Sequence, residues 1–179
     1  RAARIRLLLM DVDGVLTDGR LWPMRGGRGG RAEIKAVDAE DGMGLQWLRR
    51  HGIQTGLISG RVSGSTTERA ESAGMAYVYQ GHLEKIPIVE EIREKSGFLA
   101  EEIAYVGDDV TDVVVMHRVG FAIAVANARP EVKAEAHWVT PGAGGHGAIR
   151  DVCEVLLKAK GLWPDILAHY EIANSRPGR

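Results

Sequence analysis

Short apolar runs alternate with stretches of helical period along most of the chain. Runs near Ile5–Met10, Gln54–Ile58, Ala76–Tyr79, Ile103–Val106, Phe121–Ala124 and His137–Thr140 predict strands. Between them, helices are expected at about 43–51, 63–74, 85–96, 110–118, 130–135 and 147–159. Leu45 and Leu48 share one face of the first, and Val152, Val155, Leu156 and Ala159 form the stripe of the last. This alternation predicts βαβ units, hence an α/β fold with a Rossmann-like, doubly wound parallel sheet. Residues 19–38 break the rhythm: "GRLWPM" and "AEIKAV" flank "RGGRGGR" and predict a β-hairpin projecting from the sheet. Residues 1–161 are expected to form a single domain without internal repeats. Residues 162–179 read as a C-terminal tail with scattered apolar residues, able to dock on a neighbouring subunit, whose last residues are loose.

Composition narrows the partners. With 179 residues, 45% of them hydrophobic, the chain supports one domain, burying roughly 70% of its unfolded surface. Basic and acidic residues number 23 and 24, so no global field attracts nucleic acid or an anionic membrane, and an anion needs a local site. Cys153 stands alone, which excludes an internal disulfide. No cationic leader precedes an apolar core, and no apolar run approaches the ~20 residues that cross a bilayer. The expectation is a soluble cytoplasmic protein.

In α/β sheets ligands bind beyond the carboxyl ends of the strands. Those positions here hold Asp11 and Asp13, then Ser59, then Lys85, then "GDDVTD" at 107–112. Clustered carboxylates resist joint ionisation unless a cation neutralises them, and oxygen ligands without His or Cys favour Mg²⁺. A hard cation with Ser59 and Lys85 opposite suits a phosphoryl group. Asp11 is placed to attack phosphorus and form an acyl phosphate. Asp13 would protonate the departing alcohol and then deprotonate the hydrolytic water, with Gly14 allowing the turn that brings both into one pocket.

"DVDGVLTD", Ser59 of "LISGR", Lys85 and "GDDVTD" resemble, in order, the four motifs of the haloacid dehalogenase-like phosphohydrolases. The resemblance implies Mg²⁺ held by Asp11, the Asp13 carbonyl and Asp108, with Asp109 or Asp112 orienting the metal's shell. Residues 14–58 and 60–84 leave no room for an inserted cap domain. Further stretches, among them "DVDGVLTDGRL", "YVYQGHLEK" and "GGHGAIRDVCEVLLKAKG", look like the 3-deoxy-manno-octulosonate 8-phosphate (KDO 8-phosphate) phosphatase subfamily. That likeness implies a homotetramer with hairpins packed together, a C-terminal segment reaching an adjacent site, and a product that feeds lipopolysaccharide synthesis. It also points to Gly60, Arg61 and His146 as substrate-binding residues. His146 stands where the subfamily usually has arginine, and Glu40 where it often has a basic residue. Both departures lie where a sugar-acid carboxylate would be recognised, so phosphatases of nine-carbon sialic-type 9-phosphates, or of broader sugar phosphates, stay as the alternative.

Four other readings compete. "DVDG" imitates a calcium loop but has no acid at the twelfth position. "GAGGHG" at 142–147 fits a dinucleotide fingerprint but has no further strand after it. "RGGRGGR" imitates an RNA-binding segment but lacks interleaved aromatics. Asp109 alone would serve equally well as a helix N-cap.

Overall fold

The computed structural model describes residues 1–25 and 31–172. Its main sheet is parallel, built from β1 (Leu7–Met10), β4 (Gln54–Ser59), β5 (Tyr77–Gln80), β6 (Ile103–Gly107), β7 (Phe121–Ala124) and β8 (Trp138–Val139), in the order β5-β4-β1-β6-β7-β8. Strands β1, β6 and β7 are buried along their whole length, as their unbroken apolar runs require of a sheet covered on both faces. The edge strands β5 and β8 are only partly covered. All six expected strands are present.

Helices α1 (Ala39–Arg50), α2 (Gly64–Ala73), α3 (Ile86–Ser96), α4 (Val110–Met116), α5 (Pro130–Glu135) and α6 (Ala148–Ala159) connect and flank the strands. α1 packs on α2 and α6, while α4 packs on α3 and α5, so the helices form two layers around the sheet. From β1 the chain runs outward through β4 to β5, then returns to place β6 on the other side of β1. The winding direction therefore reverses between β1 and β6, where such folds open a crevice for ligands. Register sharpens this: Met10, the last residue of β1, lies level with Leu57 of β4 and Val106 of β6, so its neighbours run one or two residues further and flank the chain that leaves β1.

Two boundaries differ from expectation. α1 starts at Ala39 rather than 43, because Asp38 caps it by accepting from the Glu40 amide at 2.7 Å and Glu40 and Asp41 fill the first turn. The described part of the tail is helical: α7 (Trp163–His169) packs on α6 with Ile166 buried. The Trp163 and Trp47 rings meet edge to face at 5.7 Å, and Trp47 Nε1 donates to the Tyr170 hydroxyl at 3.2 Å. The expectation that the final residues are loose concerns 173–179, outside the described residues, as does the glycine-rich tip at 26–30.

The hairpin exists as an antiparallel pair, β2 (Trp22–Arg25) with β3 (Arg31–Ile34), anchored by a Thr17–Val37 bridge. No described helix is long and apolar enough to cross a membrane.

Candidate active site

The backbone of Asp11 continues β1 by donating to Val106 O at 3.0 Å, which delivers its carboxylate into the crevice. Asp108 follows β6 on the opposite side. Gly14 turns the chain with φ +94°, and a Cβ there would run into the Asp108 carboxylate. A cleft of about 280 Å³ results, lined by Asp11, Asp13, Ser59, Gly60, Arg61, Lys85, Asp108 and Asp109 together with Leu83 and Thr111.

Lys85, only 5% exposed at the start of α3, is the hub. Its Nζ donates to Asp11 Oδ1 at 2.7 Å, Asp112 Oδ1 at 2.6 Å and the Tyr105 hydroxyl at 3.0 Å. Burial works against its charge, yet Asp11 and Asp112 outweigh it and hold the ammonium above its ordinary range. Tyr105 also donates to Asp112 Oδ1 at 2.6 Å. Asp112 Oδ2 accepts from the amides of Asp108 and Asp109 at 2.9 and 3.2 Å. Both oxygens of Asp112 are thus fully engaged from below, and the residue braces Lys85 and the turn that carries Asp108.

Asp11, Asp108 and Asp112 bring ligand oxygens within 4.8 Å of one another. Burial first, and then the Asp112 charge, push Asp11 up to about 6 despite Lys85. Burial, then Asp11 and Asp112, push Asp108 up to about 7. Asp108 Oδ1 is buried with no hydrogen-bond partner. Three carboxylates against one ammonium, all-oxygen donors and an orphaned carboxylate oxygen fit a hard divalent cation such as Mg²⁺.

A haloacid dehalogenase-like hydrolase family model matches residues 37–150. The chain is 40% identical over 161 residues to the 3-deoxy-D-manno-octulosonate 8-phosphate phosphatase KdsC of Salmonella typhi, covering 90% of this chain and 84% of the relative. It also matches the crystal structure of the Yersinia pestis 3-deoxy-D-manno-octulosonate 8-phosphate phosphatase, with 39% identity, TM-score 0.84 and coverage of 90% and 85%. The chain belongs to the haloacid dehalogenase-like hydrolase family. A further structure, the Moraxella catarrhalis 3-deoxy-D-manno-octulosonate 8-phosphate phosphatase in complex with magnesium ion, phosphate ion and KDO, has 36% identity and TM-score 0.88, covering 94% of this chain and 95% of that one. This hydrolase is a phosphatase with the capless fold of those neighbours.

Within the phosphatase, Ser59 ends β4 nearly buried, its Oγ accepting from the Arg61 amide at 3.2 Å. Asp109 caps α4, accepting from the Val110 amide at 2.7 Å, so the helix-cap reading describes its observed hydrogen bonding. His146 is exposed and is not among the residues lining the cleft. Its glycine-rich loop packs against the first motif instead: Cβ atoms on Gly144 or Gly145 would strike the backbone of Gly14 and of Thr17–Asp18. Asn127 joins the two loops, donating to Gly14 O at 2.9 Å and accepting from the Gly144 amide at 2.6 Å.

Sequence reasoning missed Tyr105, Asn127, Glu33 and Lys35. Tyr105 sits in an apolar strand where the only signal is that a buried phenol needs a partner. Lys35 lies just beyond β3, and its side chain is 2% exposed with Nζ 2.7 Å from Asp13 Oδ1. Nothing in its local sequence announces that pairing, which depends on the hairpin's register.

Proposed function

We propose that this phosphatase hydrolyses KDO 8-phosphate to KDO and phosphate, with Mg²⁺ as cofactor and the cytoplasm as its compartment. The observation that carries the reading is the likeness over nearly the whole chain to the Moraxella catarrhalis enzyme, whose crystal structure is described as containing magnesium, phosphate and KDO. The cleft joining Asp11, Lys85 and Asp108 supports it. Asp11, the Asp13 carbonyl and Asp108 would hold the cation, with Asp112 and Asp109 supporting that shell. When bound, Mg²⁺ supplies charge neutralisation for the phosphoryl oxygens.

The chain's own groups carry the reaction. An Asp11 oxygen forms a bond to phosphorus while the bond from phosphorus to the sugar oxygen breaks, and Asp13 gives that oxygen its proton. A water oxygen then attacks the phosphorus of phospho-Asp11. The bond to Asp11 breaks, phosphate leaves and Asp13 takes the proton of the water. Lys85 keeps the Asp11 carboxylate oriented and, with Ser59 and the backbone after it at Gly60, faces the transferring group. Arg61 and His146 would serve the sugar acid, with the homotetramer closing the open pocket.

The test is phosphate release from KDO 8-phosphate, nine-carbon sugar acid 9-phosphates and simple sugar phosphates. KDO 8-phosphate is expected to exceed the others in kcat/KM by about tenfold or more. Chelation should abolish release, and Asp11→Asn should lower it by roughly a thousandfold or more. A flat substrate profile, or preference for a nine-carbon ester, would remove the substrate assignment.

A further inference from the structure

The hairpin has two chemically different faces. Cross-strand register sets Trp22 opposite Ile34 and Met24 opposite Ala32, and these residues face outward. Alternation turns Glu33 and Lys35 the other way, towards the main domain. There Lys35 Nζ lies 2.7 Å from Asp13 Oδ1, 3.5 Å from Glu33 Oε1 and 3.4 Å from the Thr66 hydroxyl. Glu33 Oε2 in turn accepts from Arg61 at 2.8 Å, and Arg61 Nε lies 3.6 Å from Asp13 Oδ2. An ammonium so nearly dry is costly unless paired; here it donates to the Thr66 hydroxyl, and Asp13 Oδ1 and Glu33 Oε1 face it as ion partners rather than as hydrogen-bond acceptors.

The location matters. Arg61 lines both the aspartate cleft and a neighbouring cavity of about 370 Å³ walled by Ala32, Glu33 and the segment from Val62 to Ser65. Asp13 faces the junction of the two, with each carboxylate oxygen drawn towards a different cation. A phosphoryl group in the first space and its alcohol in the second would put the bond that breaks at this junction.

We propose that Lys35 is a positioning residue for the reaction: carried in on the hairpin, its ammonium aims the Asp13 carboxyl at the oxygen of the leaving alcohol. The proposal rests on the phosphatase reading above and adds a part for the hairpin, whose Ala32 and Glu33 wall the cavity beside the aspartate cleft.

Leaving-group chemistry separates this role from simple packing. An alkyl alkoxide must be protonated as it departs, whereas p-nitrophenolate leaves without a proton. Wild-type protein, Lys35→Met, Lys35→Arg, Asp13→Asn and the Asp13→Asn/Lys35→Met double variant are assayed with KDO 8-phosphate and with p-nitrophenyl phosphate. Lys35→Met is expected to lose at least about tenfold more kcat/KM, which reports the step in which the alcohol departs, on the alkyl ester than on the aryl ester, and Lys35→Arg to recover most of the difference. In the double variant the lysine change should add no loss to that of Asp13→Asn. Equal losses on both esters, or independent losses in the double variant, overturn the proposal and make Lys35 a packing residue. If the wild-type protein releases phosphate from neither ester, the phosphatase reading itself fails and this proposal with it.

Discussion

Asp112 shows how one side chain can govern a site without facing the ligand. Its oxygens accept four hydrogen bonds, from Lys85, Tyr105 and the amides of Asp108 and Asp109. Asparagine in its place would keep the shape but replace one acceptor oxygen by a donor NH2, which would face either the two amides or Lys85 and Tyr105, and would leave Lys85 with one carboxylate instead of two. Asp112→Asn is therefore expected to lower turnover by roughly 100-fold and to destabilise the fold by about 1–3 kcal/mol, since one buried pair of donors loses its acceptor. Thermal melting and phosphate release measure both. A variant with normal turnover would show that bracing from below is dispensable. The strand-end aspartates, Ser59 and Lys85 were legible from sequence because each follows a strand that its apolar run betrays. Tyr105 and Lys35 were not, because their roles come from contacts between segments remote in sequence.

At the scale of elements, the strands of the main sheet were legible to within one or two residues at each end, and the start of α1 less so. Gly42 and Gly44 hid the first turn of α1, whose formation depends on the Asp38 cap. α7 was hidden because seven residues show too little periodicity, and its stability comes from docking on Trp47. The lengthened α1 carries Asp41, fully buried where α1 meets α6, with Oδ1 accepting from the Arg150 amide at 2.7 Å and Oδ2 unpartnered. Burial pushes its carboxyl from 3.8 up to about 6, with the Arg150 amide opposing and Asp38 and Asp151 adding to the rise. The folded protein therefore holds this proton more tightly than the unfolded chain. Below about pH 4 both states are protonated and the group costs nothing; as pH rises from about 4 to 6 the folded state loses roughly 2–3 kcal/mol. Asp41→Asn keeps the acceptor and removes the charge. Its melting temperature should exceed that of the wild type by several degrees at pH 8, with the gap closing by about pH 4. A destabilised variant at pH 8 would mean that the buried carboxylate is well satisfied.

At the scale of the whole molecule, the hairpin links the chemistry to assembly. One face brings Lys35 and Glu33 to Asp13 and Arg61, while Trp22, Met24 and Ile34 on the other are each about half exposed. Apolar side chains gathered on one projecting ribbon are poorly suited to water, and an isolated two-stranded hairpin is marginal by itself. Mutual packing of hairpins from several copies would cover that face and hold β3 in the register that sets Lys35 against Asp13. In the homotetramer expected from the family resemblance, association would steady the hairpin wall of the cavity beside the cleft. Ile34→Glu and Trp22→Glu place charge on the outward face without touching the site. Light scattering is expected to show the wild type as a tetramer and the double variant as smaller species. Turnover of the variant at low protein concentration should fall by about tenfold or more through loss of hairpin order, with Lys85 and Asp108 untouched in the main domain. A wild-type protein that is monomeric at every concentration, or a dissociated variant with full turnover, would separate assembly from catalysis and leave the hairpin's inner face to hold its shape unaided.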